Sequence, residues 1–153
     1  MSQLTSAQPG EARVRRSVPM LHVSDVERSL AFYALLGFVP RGRVPGGAGR
    51  TRWADAASDF AELMFAQADT DPIAEQQAVL LYMYSSDVAA LRRHLLACGL
   101  HEGGPFCGAP GPNDGRRVVF EITRPFYMPD GEIRIHDPDG YVILVGQTSP
   151  RPD

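Results

Sequence analysis

The chain repeats its own grammar, and that repeat limits its possible folds more than any other feature. A short apolar run, a polar cap, a helix-periodic stretch and a glycine occur twice. Asp25 and Asp87 lie 62 residues apart, and so do Gly37 and Gly99, so the two copies match without a gap. In the first copy VPMLHVSD (18–25) reads as a strand. Ser24 is the predicted N-cap, with Glu27 three residues on completing a capping box. The following helix, 26–36, turns Val26, Leu30, Tyr33 and Leu36 inward, and Gly37 ends it. In the second copy VLLYMYSSD (79–87) is the strand and Ser85 or Ser86 the cap. The helix 88–98 buries Val88, Leu91, Leu95 and Cys98 at helical spacing and stops at Gly99. Self-similarity at a fixed offset is the mark of a duplicated structural unit.

Strand-like segments follow each helix. After the first they fall at 38–44, 50–56 and 59–66, with Gly46, Gly47 and Gly49 between the first two and Ser58-Asp59 between the last two. After the second comes a Gly/Pro-rich loop, 103–115, then strands near 117–124, 131–136 and 141–147, the last two joined at Asp139-Gly140. The expected fold is α+β: two tandem βαβββ modules, 17–67 and 78–147, forming a curved mixed sheet around a cleft. Residues 1–16 and 148–153 read as loose tails. The 153 residues suit one domain, and 44% hydrophobic with 22% charged residues suits a globular one. A net charge of −3 argues against a nucleic-acid partner, since the one basic cluster, Arg13, Arg15 and Arg16, lies in the N-terminal tail. The two cysteines, Cys98 and Cys107, show no metal or redox spacing, and no apolar run is long enough to span a membrane. A cytoplasmic, reduced protein is expected.

Four phrases carry a family likeness: LHVSDVERSLAFYALLGF (21–38), AELMFAQ (61–67), YSSDVAALRRHLLACG (84–99) and PDGEIRIHDPDGYVILVGQ (129–147). Together they resemble the vicinal oxygen chelate superfamily, the glyoxalase/bleomycin-resistance/dioxygenase proteins. The resemblance implies the paired-module fold and a homodimer. It also implies one of several activities: isomerisation, ring-cleaving dioxygenation, epimerisation, thiol transfer to epoxides, or metal-free drug sequestration. Metal-dependent members take ligands from fixed strand positions. The matching positions here hold Val18, Leu80 and Leu144, and only Glu62 keeps a carboxylate. Divalent ions need several oxygen, nitrogen or sulfur donors, so the usual metal site is expected to be absent.

Alternation along strands then nominates what lines the cleft. If Val18 faces it, so do Met20 and His22. By duplication Tyr82 and Tyr84 face it with Leu80. With Ile133 and Ile135 toward the helix, Glu132, Arg134 and His136 face the cleft, joined by Glu62, Met64 and Trp53. The candidate ligand-binding residues are therefore Met20, Trp53, Met64, Tyr82, Tyr84, Glu132 and Arg134. The candidate acid–base residues are His22, Glu62 and His136. Each has a bland alternative: a hydrogen-bonded structural His22, a hairpin-bracing His136, a Glu62 paired with Arg134 or Arg52, a core Trp53. His94 and His101 read as surface residues, and Asp25, Asp87, Asp137 and Asp139 as cap and turn residues.

Three functions stay open. The first is a metal-independent protein that binds a small, partly aromatic molecule, with no cofactor. The second is an enzyme of lyase, isomerase or dioxygenase type using His22, Glu62 and His136 as acids or bases. The third holds zinc or iron at a relocated site built from the same three side chains.

Overall fold

Two modules of like design, each with its own sheet and helix, make up the computed structural model, which describes residues 12–107 and 117–148. The first module runs β1 (Met20–Val23), α1 (Val26–Ala34), β2 (Val39–Pro45), β3 (Thr51–Ser58) and β4 (Ala61–Gln67). The second runs β5 (Leu80–Ser85), α2 (Val88–Ala97), β6 (His101–Glu102), β7 (Val118–Val119), β8 (Glu132–His136) and β9 (Val142–Gln147). Strand order is β1-β4-β3-β2 in one sheet and β5-β9-β8-β7-β6 in the other. In each sheet the strand before the helix lies parallel to the module's last strand: Met20 pairs with Met64, and Leu80 with Val142. The duplication is thus present in the topology. The second module departs from it in β6, which the sequence reading left as loop, and in a third strand cut from 117–124 to Val118–Val119 plus a bridge between Thr123 and Glu132. The predicted tails at 1–11 and 149–153, and loop residues 108–116, lie outside the described residues.

Period-two alternation drives the packing. Leu21, Val23, Ala54, Ala56, Leu63 and Phe65 are buried under α1, which contributes Val26, Leu30, Phe32 and Tyr33. Ile133, Ile135, Ile143 and Val145 are buried under α2, which contributes Val88 and Leu95. Both helices end as the glycines require. Gly37 and Gly99 sit at φ +96° and +95°, a region that a β-carbon disfavours. The predicted caps shift by one or two residues. Asp25, not Ser24, caps α1 by accepting from Arg28 N at 3.0 Å, and Asp87 caps α2 by accepting from Ala90 N at 2.9 Å. Glu27 does not close a capping box, because Arg43 and Thr51 each donate to its carboxylate at 2.7 Å. Leu91 and Cys98 are only partly buried, at the margin of the α2 stripe.

The turn between β8 and β9 holds the modules together. Asp137 is 1% exposed and accepts from Tyr33 Oη at 2.9 Å, Asp139 N at 2.9 Å and Tyr141 N at 2.8 Å. Asp139, 4% exposed, accepts from Ser24 Oγ at 2.5 Å and from Arg28 at 3.2 Å. Tyr141 donates to the His22 carbonyl at 2.8 Å. Ser24 therefore serves the contact between modules in place of capping a helix. No helix among the described residues is long and apolar enough to cross a membrane.

Two outcomes follow from this junction. Tyr33→Phe removes a donor from a buried carboxylate and should lower stability by about 1–3 kcal/mol in urea unfolding. Burial outweighs three hydrogen bonds at Asp137 and pushes its carboxyl up to about 6 from an ordinary value of 3.8. The folded state therefore takes up this proton more readily than the unfolded chain. Its contribution is full below about pH 4 and is lost as pH rises through about 6. Measured against Asp137→Asn, wild-type stability should fall by roughly 2–3 kcal/mol between about pH 4 and pH 7. A flat difference would show that the carboxyl titrates at its ordinary value.

Candidate functional site

The face of each sheet turned away from its helix is open, and the nominated residues divide between these two faces. On the first sheet, β1 presents Met20 and His22 while Leu21 and Val23 go to the core. Register then sets the rows. His22 lies across from Ala66, and Ala66 across from Trp53; Met20 lies across from Met64, and Met64 across from Asp55. Glu62 stands opposite Ala57, four positions along β4 from the His22 row, about 13 Å at strand rise. A register shift between Pro40 and Gly42 brings Arg41 onto this face, where it bonds Asp55 at 2.7 Å and Glu62 at 3.4 Å. Arg16 is the second ion-pair partner of Glu62. Neither Arg134 nor Arg52, the two partners read from sequence, is used. These arginines hold the Glu62 carboxyl below its ordinary value, the hydrogen bond from Arg16 most of all. Arg16, read as part of a solvated arm, is thus a side-chain neighbour of the first sheet.

The second sheet carries the denser constellation. Tyr82 stands opposite Leu144, and Leu144 opposite Arg134; Tyr84 stands opposite Gly146, and Gly146 opposite Glu132. Tyr82 leans diagonally across Gly146, and its hydroxyl donates to Glu132 Oε2 at 2.5 Å. Gly146 makes this reach possible: a β-carbon there would sit 2.9 Å from Tyr82 Oη and 2.6 Å from Met128 Cε. Tyr127, from the loop before β8, donates to Glu132 Oε1 at 3.2 Å. Glu132 is 6% exposed, and a buried carboxylate is stable only with such donors. Burial, with Glu132 beside it, raises the Tyr82 hydroxyl well above its ordinary value. Tyr82 and Tyr84 form a ring pair at 5.3 Å.

Arg134 and His136 occupy the other end of β8. Arg134 Nε donates to His136 Nε2 at 3.1 Å. Its guanidinium carbon lies 3.8 Å from the centre of the Phe106 ring. Phe120 meets His136 edge to face at 5.0 Å and Phe106 at 5.2 Å. Burial first, then the Arg134 charge, lowers the His136 pKa to about 4, so the ring is neutral near pH 7 and its proton sits on Nδ1.

The structure thus brings Tyr82, Tyr84, Glu132, Arg134 and His136 onto one face, and Met20, His22, Trp53, Glu62 and Met64 onto the other. Among the described residues no hydrogen bond joins a nominated side chain of one face to one of the other. His22, Glu62 and His136 do not meet, and no three His, Cys, Asp or Glu side chains among the described residues group to hold a metal ion. At the family's ligand positions, Val18, Leu80, Leu144 and an arginine-bound Glu62 do not make a divalent ion's donor set. A groove of about 800 Å³ lies elsewhere, between Leu36, Phe38 and Phe60 of the first module and Tyr82, Tyr84 and Leu91 of the second. It shares only the two tyrosines with the nominated set. The open face of the second sheet sets its charged and hydrogen-bonding groups among aromatic rings, and we place the candidate site there. Phe106, Phe120 and Tyr127 escaped the sequence reading because two lie in loops and the third just past the end of β7. The Phe126-Tyr127 pair beside a Pro-Asp-Gly turn was the signal available.

The Glyoxalase/Bleomycin resistance protein/Dioxygenase superfamily profile matches residues 17–145. Among solved structures, a bleomycin resistance determinant encoded on transposon Tn5 is similar at 18% identity and TM-score 0.66, over 90% of this chain and 100% of that one. A bleomycin-binding protein from bleomycin-producing Streptomyces verticillus, complexed with copper(II)-bleomycin, is similar at 16% identity and TM-score 0.61, over 90% and 98%. TnmS3, an antibiotic-binding protein from Streptomyces sp. CB03234, shows 23% identity and TM-score 0.62, over 89% and 98%. These likenesses establish the fold. No curated protein matches the sequence at a significant level.

Gly146→Ala tests the notch under Tyr82. The atoms in the way are the far ends of flexible side chains. The variant should therefore fold, with a loss of about 1–3 kcal/mol as the Tyr82–Glu132 bond breaks and a buried carboxylate loses a donor. A crystal structure of the variant with Tyr82 unmoved would refute the notch.

Proposed function

Because this chain belongs to the glyoxalase/bleomycin resistance protein/dioxygenase superfamily, we propose that it is a metal-independent binding protein that sequesters a small, partly aromatic molecule. The observation that carries this reading is the open face of the second sheet. There aromatic rings surround polar groups that are already satisfied and fixed: Glu132 by two tyrosines, His136 by Arg134. Few polar groups in an aromatic setting are the usual make-up of a small-molecule site. The similar solved proteins that bind bleomycin or another antibiotic support the same class of ligand.

The reading extends to a homodimer. Both β1 and β5 are edge strands of their sheets. On them Met20 is 54% exposed, Leu80 51% and Tyr84 65%, apolar surface that a second copy would cover. A second copy laying its β1 face against the β5 face would turn two half-sites into one trough, with Met20, Trp53 and Met64 opposite Tyr82 and Tyr84.

The enzyme reading asks for a group that exchanges a proton near neutral pH. His136, at about 4, is poorly matched, and Glu62 is held by arginines. His22 is the nominated group whose side chain makes no hydrogen bond among the described residues, and that reading now rests on it.

Incubation with an aromatic antibiotic library, followed by mass spectrometry of what is recovered, separates the two. Sequestration gives the ligand back unchanged at sub-stoichiometric metal content by plasma mass spectrometry, and light scattering gives twice the chain mass. Catalysis gives slow conversion that His22→Ala abolishes while binding survives, and that result would sink the binding-only reading.

A further inference from the structure

We propose that the Arg134 end of the second sheet is an anion subsite, so that the ligand is a planar aromatic bearing an ionised oxygen, an aryl carboxylate or phenolate. This rests on the small-molecule reading of the same face and names the chemistry that the face selects. Arg134 is the reason. It is partly buried, and among the described residues it makes no ion pair. The nearest carboxylate along its strand, Glu132, accepts instead from Tyr82 and Tyr127. Among the described residues only the Nε of the guanidinium is used, in the bond to His136, and the two terminal nitrogens make no hydrogen bond. Their planar fork suits a carboxylate.

The surroundings supply the rest of the ligand. Phe106 lies against the guanidinium, and Phe120 bridges Phe106 to His136. A flat ring entering beside Arg134 therefore meets ring edges and faces. The neutral His136 ring uses its Nε2 as acceptor and so fixes the guanidinium in place. A charged donor fork with a ring packed against it favours an oxyanion over an amine.

The test holds the ring constant and varies the charge. Calorimetry with 2-naphthoate, 2-naphthalenemethanol and 2-naphthylmethylammonium, on the full chain, should show the carboxylate binding at least about tenfold more tightly than either of the others, the increment of one charge-assisted hydrogen bond. Arg134→Gln should erase that preference, the carboxylate losing at least about tenfold in affinity and the alcohol less. Phe106→Leu, in a loop remote from the core, should weaken all three ligands alike. If the alcohol or the ammonium binds as well as the carboxylate, the anion subsite is refuted and the binding reading stands. If none of the three perturbs the amide spectrum of β5, β8 or β9, both fall.

Discussion

Two carboxylates in one turn decide how this molecule is assembled. No strand ladder joins the two sheets among the described residues, and the polar contacts between the modules come from the β8–β9 turn, beside a shared apolar core. Asp137 would be costly to bury alone. Tyr33 of the first module and two amides of its own turn complete its hydrogen bonding. Asp139 goes to Ser24 and Arg28 at the start of α1, where the helix dipole favours a negative charge. The residues that look like a plain hairpin signature are therefore the clasp between modules, and both candidate faces take their positions from it.

The duplication gives this clasp a counterpart that is not closed. In the second module the β8–β9 turn reaches the start of α1. In the first, the β3–β4 turn at Asp59 and Phe60 faces the end of β5 and the start of α2, at Ser85, Ser86 and Leu91. The two approaches are related by the repeat, but their chemistry differs. One turn carries two buried acids that find donors across the junction. The other carries an exposed phenylalanine and leaves the groove. The junction between the duplicated modules thus carries one buried polar contact and one open groove, and Tyr82 and Tyr84 stand between that groove and the candidate face.

Much of this was legible in the chain. The equal spacing of Asp25 to Asp87 and Gly37 to Gly99 gave the modules, and alternation placed Ile133 and Ile135 on the core side with Glu132, Arg134 and His136 on the opposite face. The partners of those side chains were not legible. Glu62 pairs with Arg16, 46 positions away, and with an Arg41 that a register shift turns onto its face. Nothing local encodes either. The caps failed for a similar reason: Ser24 is a good local cap, but a buried acid more than a hundred positions away competes for its hydroxyl. Loop aromatics such as Tyr127 and Phe106 join the site through tertiary contact, and periodicity does not speak of loops.

The protonation states of the second face bear on what it can do. Proton transfer is efficient when a group's pKa lies near the working pH. Here the neighbours drive titrating groups away from that range: Tyr82 upward through burial and Glu132, His136 downward through burial and Arg134. The Tyr82 hydroxyl stays protonated and the His136 ring stays neutral throughout the neutral range. Such a face presents a constant pattern of donors and rings, and its polar groups are already ordered by one another before a ligand arrives. Binding to it spends little on reorganising side chains. Those properties serve recognition, and they disfavour the shuttling of protons that an acid–base catalyst on this fold would need.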